Sequence, residues 1–179
     1  MGRGKNRGQP NRASQPQPSS SQPAKRALPR KITVRLKDIT RHARALALAI
    51  DETPRERFIE ASVSDDPDRL NKFVYPLERS FEIVGNYIAE LNELGLQVAG
   101  LAPVNRPKDL RLLADENVIS SSRADKWRAI LDRRNRLQHD YPDVRAGAIY
   151  DAAADAIIDL PAYLRDYAGW MRRLGFGKE

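Results

Sequence analysis

Apolar side chains return at alternating intervals of three and four along most of the chain, the period of an amphipathic helix rather than of a strand. Leu36, Ile39, Ala43, Leu46 and Ile50 keep this rhythm and predict a first helix over about 33–51. A short helix is expected after Pro54, burying Phe58 and Ile59. Asp66 and Pro67 then supply an N-cap and a first-turn proline for a second main helix, whose stripe reads Leu77, Phe81, Val84, Ile88, Leu91 and Leu94. Pro76 has no N–H to donate, so that helix should kink or split there. Gly95 and Gly100 read as the flanks of an apolar loop, and Asn105, Arg106 and Pro107 as the start of a short helix running to Ala114. Val118 and Ile119 form an apolar turn before a third main helix, about 124–139, with Ser122 and Asp125 in the spacing of a capping box. A last helix over roughly 145–174 puts Ile149, Ala153, Ile157, Leu160, Leu164, Tyr167, Met171 and Leu174 on one face, with a kink expected at Pro161. No segment alternates with period two and no hairpin turn competes. The expected fold class is all-α, an up-and-down bundle of four main helices.

Composition changes this picture at one end. Residues 1–30 hold seven basic residues (Arg3, Lys5, Arg7, Arg12, Lys25, Arg26, Arg30), no Asp or Glu, and mostly Gln, Pro and Ser otherwise. They read as a disordered basic tail, with residues 31–179 as the helical domain. The tail accounts for the whole net charge of +7 and leaves 24 basic residues balanced against 24 acidic ones in the body. A high overall pI therefore reports the tail, and any affinity of the body for nucleic acid must come from local patches. The tail reads either as a solvated leader or as a phosphate-binding arm whose contribution fades with salt. It lacks the apolar face of a transit peptide, and Asn6 breaks the myristoylation pattern after Gly2. No apolar run approaches the ~20 residues that span a bilayer. The chain has no Cys, which removes disulfides, thiolate metal sites and Cys nucleophiles. A cytoplasmic protein with no membrane partner is expected.

The third main helix carries the candidate chemistry. At about 100° per residue, Trp127, Ile130, Leu131 and Leu137 define one apolar arc, and Arg134 and Gln138 fall in its middle. An unpaired guanidinium buried there costs several kcal/mol, so something must answer its charge. Asn135 and His139 lie together at the edge of the arc, one turn apart. Pro142 biases Tyr141 away from helical angles, which places His139, Asp140 and Tyr141 at or just past the helix end. Two accounts stand side by side: Arg134 is held by an acidic residue of a neighbouring helix, or it faces a ligand that Asn135 and His139 also reach. The only other histidine, His42, is flanked by Arg41 and Ala43 and reads as a surface residue.

Arg134, a polar residue after it, and His139 five positions on resemble the mark of the HEPN domains. The run from Arg134 to His139 and Tyr141 is similar to the HepT-like branch, ribonuclease toxins encoded beside a minimal nucleotidyltransferase antitoxin. The segment from Arg106 to Ile119 also resembles the approach to the motif in that branch, and the likeness covers roughly residues 32–174. Gln138 departs from it, standing where the family usually carries an apolar residue, and the N-terminal tail is not shared. The resemblance implies a HEPN-like bundle and a composite, metal-independent site without cofactor, formed by Arg134, Asn135 and His139 of two copies in a homodimer. It implies RNA or tRNA as substrate, a cognate nucleotidyltransferase as partner, and Tyr141 as the residue that receives AMP. The residues suit that chemistry: the ribose 2′-OH is a built-in nucleophile, His139 titrates in the range of a general acid or base, and Arg134 offsets phosphate charge. The same sequence also accommodates a catalytically weak subunit that binds nucleotide or RNA for a partner nucleotidyltransferase, and a helical scaffold in which Arg134 is a structural ion pair. Tyr141 likewise reads either as the modified residue or as a ring that packs at the helix end.

Overall fold

A computed structural model describes residues 22–139 and 146–176, with side chains over 27–135 and 146–176. Seven α-helices and no strands occur among the described residues: α1 Gln22–Glu52, α2 Arg55–Ser62, α3 Pro67–Phe73, α4 Tyr75–Ala99, α5 Arg106–Asp115, α6 Ser121–His139 and α7 Ala146–Arg173. The four long helices α1, α4, α6 and α7 form the bundle. α1 lies chiefly along α4 and also touches α7, α6 packs against α5 and α7, and the short helices bridge the ends. No helix among the described residues is long and apolar enough to cross a membrane.

α1 begins earlier than the hydrophobic rhythm indicates. Residues 22–30, assigned to the tail on composition, are helical and continuous with the stripe, and α1 runs through Pro29. Thr33 Oγ1 donates to the Pro29 carbonyl at 3.1 Å, and Ile32 is fully buried just beyond. Past this first part, Arg35 reaches Glu90 of α4 at 2.5 Å.

The break expected at Pro76 is present. Asp66 caps α3 by accepting the Asp68 N–H at 2.9 Å, and α4 restarts at Tyr75, so Pro76 falls in the first turn where no donor is missed. Leu77, Phe81, Val84, Ile88 and Leu91 are buried as the stripe predicts, and Leu94 is half-buried. Phe58 is buried on α2, whereas Ile59 is only half-buried. Gly95 does not flank a loop: α4 continues to Ala99 and ends at Gly100, whose φ of 81° supports the Leu101 N–H bond to the Leu96 carbonyl at 2.8 Å. A Cβ on Gly95 would lie 2.9 Å from the Tyr167 hydroxyl, so this glycine lets α7 approach α4. There Tyr163 and Tyr167 both donate to Asn92 Oδ1, at 2.5 and 3.0 Å, and the buried amide joins the two helices.

α6 starts three residues earlier than drawn, capped by Ser120 and not by Ser122: the Ser120 carbonyl accepts from Ala124 at 2.9 Å and its Oγ from Arg123 at 3.3 Å. α7 continues through Pro161. Its buried face is rotated from the one predicted, because Ala152, Ala156, Tyr163 and Trp170 are inside while Ile157 and Leu164 are half-buried and Leu174 is 46% exposed.

Candidate functional site

Two polar clamps fix α6 before the site begins. Asp159 of α7 accepts from the Trp127 indole at 2.7 Å and from Arg123 Nε at 3.1 Å, and Arg123 also bonds Asp166. On the other side, the loop before α5 is tied by Asp109, whose buried carboxylate accepts from the Val104 and Asn105 N–H groups at 2.7 and 3.2 Å. The bonds to Asp159 and Asp166 cross from α6 to α7 and limit sliding between these two helices, while the Asp109 bonds are local and fix the start of α5.

Between these clamps lies Arg134, in the line of Trp127, Ile130 and Leu131 and only 1% exposed. Space for it comes from Gly85 of α4, where a Cβ would sit 3.3 Å from Arg134 Cγ and Cδ. Its terminal nitrogens donate to two amides: one to Asn135 Oδ1 at 2.9 Å, the other to Asn86 Oδ1. Glu82, one turn before Asn86 on α4, stands 3.9 Å away. Arg134 Nε is buried and has no hydrogen-bond partner among the described residues. Burial, and after it the positive charge of Arg106, lower the Arg134 pKa, and Glu82 opposes them. The guanidinium remains charged, as arginine does in proteins, so the site is a buried cation held by neutral amides with one carboxylate at the limit of ion-pair distance.

Of the two accounts of Arg134 that the sequence left open, the first finds its neighbouring acid in Glu82 of α4. That acid stands at 3.9 Å, yet the close partners are amides, which orient the guanidinium without cancelling its charge. Asn135 is half-buried beside it. His139 is the last residue of α6, one turn beyond Asn135 on the same helix, and its side chain lies outside the described residues, as does that of Gln138. Tyr141 itself lies outside the described residues. His42 is not a free surface residue: it is half-buried against the Tyr87 ring, with centroids 5.1 Å apart.

Three residues of the site were not singled out in the sequence, Glu82, Gly85 and Asn86 on α4, and Arg106 at the first turn of α5 was read only as the start of a helix and of the segment leading to the motif. Arg106 donates to Asn135 Oδ1 at 3.0 Å, so this one oxygen accepts from two guanidiniums. A signal did exist for the α4 set. Between Phe81 and Ile88, a Glu, a Gly and an Asn interrupt an otherwise apolar helix at the spacing that puts Glu82 and Asn86 on one face.

A profile of the family described as ribonuclease HepT-like matches residues 50–167, which span α2 to most of α7 and include the whole Arg134 cluster. No curated protein and no solved structure matches the chain.

Proposed function

Since the chain belongs to the ribonuclease HepT-like family, we propose that it is a metal-independent endoribonuclease toxin acting on RNA or tRNA in the cytoplasm. Arg134, Asn135 and His139 of two copies form its composite site in a homodimer cleft, and a cognate minimal nucleotidyltransferase antitoxin silences it by adenylylating Tyr141. The observation that carries this reading is the Arg134 guanidinium: it is buried in the motif helix, its hydrogen bonds go to the neutral amides of Asn86 and Asn135, and Glu82 stands off at 3.9 Å. Such a preset cation in a low-dielectric setting favours the charge that develops on a phosphate in the transition state, with little reorganisation.

The reaction follows from the substrate. A ribose 2′-oxygen attacks the adjacent phosphorus as its proton passes to a neutral imidazole, the 5′-oxygen leaves with a proton from an imidazolium, and a 2′,3′-cyclic phosphate remains. One His139 takes the first role and the His139 of a second copy the other, because one motif histidine cannot readily serve both in one step. AMP on Tyr141, two residues past His139, adds an anion where the substrate phosphate binds and blocks it by charge and occupancy.

A second reading, a catalytically weak HEPN-type subunit that binds nucleotide or RNA for a partner nucleotidyltransferase, is favoured by the 1% exposure of Arg134 in the single chain. Purified protein with RNA or tRNA in EDTA separates the two. Cleavage with 2′,3′-cyclic ends, lost in His139→Ala and Arg134→Ala proteins that keep their helical signal, supports the ribonuclease. Binding without cleavage supports the second reading. Incubation with the nucleotidyltransferase and ATP, followed by peptide mass spectrometry, tests the switch: adenylate on Tyr141 together with lost cleavage is expected, and equal silencing of Tyr141→Phe overturns it.

A further inference from the structure

Arg134 cannot be the first cation that a phosphate meets, since its side chain is almost fully enclosed by α4 and α6. The guanidinium that opens outward from the same cluster is that of Arg106, half-buried at the first turn of α5. Asn135 Oδ1 accepts from both, at 3.0 Å from Arg106 and 2.9 Å from Arg134. Two like charges are thereby held on one neutral oxygen, and the Arg106 charge is itself among the causes that lower the Arg134 pKa. Among the described residues Arg106 pairs with no carboxylate, and its one hydrogen bond is to that amide. Pairs of cations in proteins are ordinarily separated or neutralised, because at close range and reduced dielectric their repulsion costs several kcal/mol. Glu82 stands 3.9 Å from Arg134, and the charge of Arg106, held beside it by the amide, remains to attract a further anion to the same cluster.

We propose that Arg106 is the residue that contacts a backbone phosphate of the RNA, with Arg134 behind it as a second, buried charge and Asn135 as the link that sets their spacing. This rests on the ribonuclease reading for the nature of the ligand and adds the residue that touches it. The arrangement explains why Asn135 is an amide. Its oxygen holds two donors at once without charge, where a carboxylate would neutralise the pair and weaken its attraction for the substrate. It also gives the α5 segment a role in the site. Asn105 caps α5 by accepting the Lys108 N–H at 3.0 Å, and Asp109 ties down the preceding loop, so Arg106 is presented from a fixed helix start.

The test is binding, so that it does not depend on cleavage. A short single-stranded RNA, methylated at every 2′-oxygen so that it cannot be cut, is titrated by fluorescence anisotropy between about 50 and 200 mM salt. Loss of one phosphate contact should make the Arg106→Gln protein bind about tenfold more weakly at low salt and flatten the log Kd against log salt slope by about 0.7. Arg106→Lys, which keeps the charge, should retain the wild-type slope. If Arg106 only supports Asn135, Arg106→Gln loses affinity with an unchanged slope, and the proposal is overturned. A wild-type affinity in Arg106→Gln overturns it as well. A wild-type protein that binds this RNA yet never cuts the unmodified strand removes the ribonuclease reading and leaves the slope to decide Arg106; one that binds no RNA ends both.

Discussion

Individual residues settle how closely the helices approach, and glycines show it best. Gly95 and Gly169 both lie inside helices, where replacing glycine by alanine gains roughly 0.5–1 kcal/mol from backbone entropy alone. At Gly95 that gain is outweighed: a Cβ would sit 2.9 and 3.0 Å from the Tyr167 hydroxyl and ring, and Tyr167 is fully buried. At Gly169 the nearest atom is the flexible end of Arg173 at 3.7 Å. Gly95→Ala is expected to lower stability by about 1–3 kcal/mol through overpacking, and Gly169→Ala to raise it by a few tenths or more. Urea midpoints of the two proteins check this, and equal shifts would show that α7 yields at Tyr167. The same contrast marks the limit of what the sequence discloses. Arg134 stood out because its position on the helical wheel is fixed by local geometry, and so did Asn135. Arg106, Gly85 and Asn86 did not, because their roles exist only once α5 and α4 are laid against α6. Gly95 was misread for the same reason: in one dimension a glycine near Gly100 looks like a loop, and only the ring of Tyr167, 72 residues on, explains it.

At the level of elements, the helix stripes were legible wherever one apolar face dominated, as in α4. They were less so in α7, where small alanines and two tyrosines make the buried face. Alanine carries little hydrophobic signal, and Tyr163, which the period left off the face that holds Tyr167, is inside where Asn92 accepts from both hydroxyls. The junction of α3 and α4 adds a pH effect. Burial pushes the Glu78 carboxyl up to about 7 from an ordinary 4.5. The folded chain therefore holds that proton more tightly than the unfolded one. The stability linked to it is complete below about 4.5 and is lost as pH climbs through 7. Glu78→Gln removes the charge and with it this loss. It is expected to exceed wild type by about 1 kcal/mol at alkaline pH, after allowance for partial solvent screening, with the difference closing toward the acid end. Melting curves across that range decide the point: a mutant that melts in parallel with wild type at every pH would show that Glu78 is not buried enough to titrate late.

Over the whole molecule, charge and symmetry set what the site can do. The net charge of +7 sits in residues 1–30, but α1 begins at Gln22, so the cut that spares the fold falls before residue 22 and not after residue 30. Removal of residues 1–21, which carry four of the seven basic residues and almost no apolar side chain, is expected to leave the melting temperature unchanged and to weaken RNA binding mainly at low salt. Removal through residue 30 takes the first turns of α1, with half-buried Leu28 and Pro29, and should lower the melting temperature by several degrees. Symmetry makes a sharper demand. If one His139 is the base and its counterpart in a second copy the acid, a dimer with a single His139→Ala subunit has no complete site. Equal amounts of wild type and His139→Ala, mixed and allowed to exchange subunits, then form the intact dimer in about a quarter of the pairings. The rate should fall to roughly that fraction of the rate of wild-type dimers at the same total concentration. Two independent centres would retain about half, since every wild-type subunit keeps working whatever its partner. A rate that tracks the wild-type share in proportion, or activity from a protein that sediments as a monomer, would therefore put both proton transfers within one chain and remove the reason for a shared cleft.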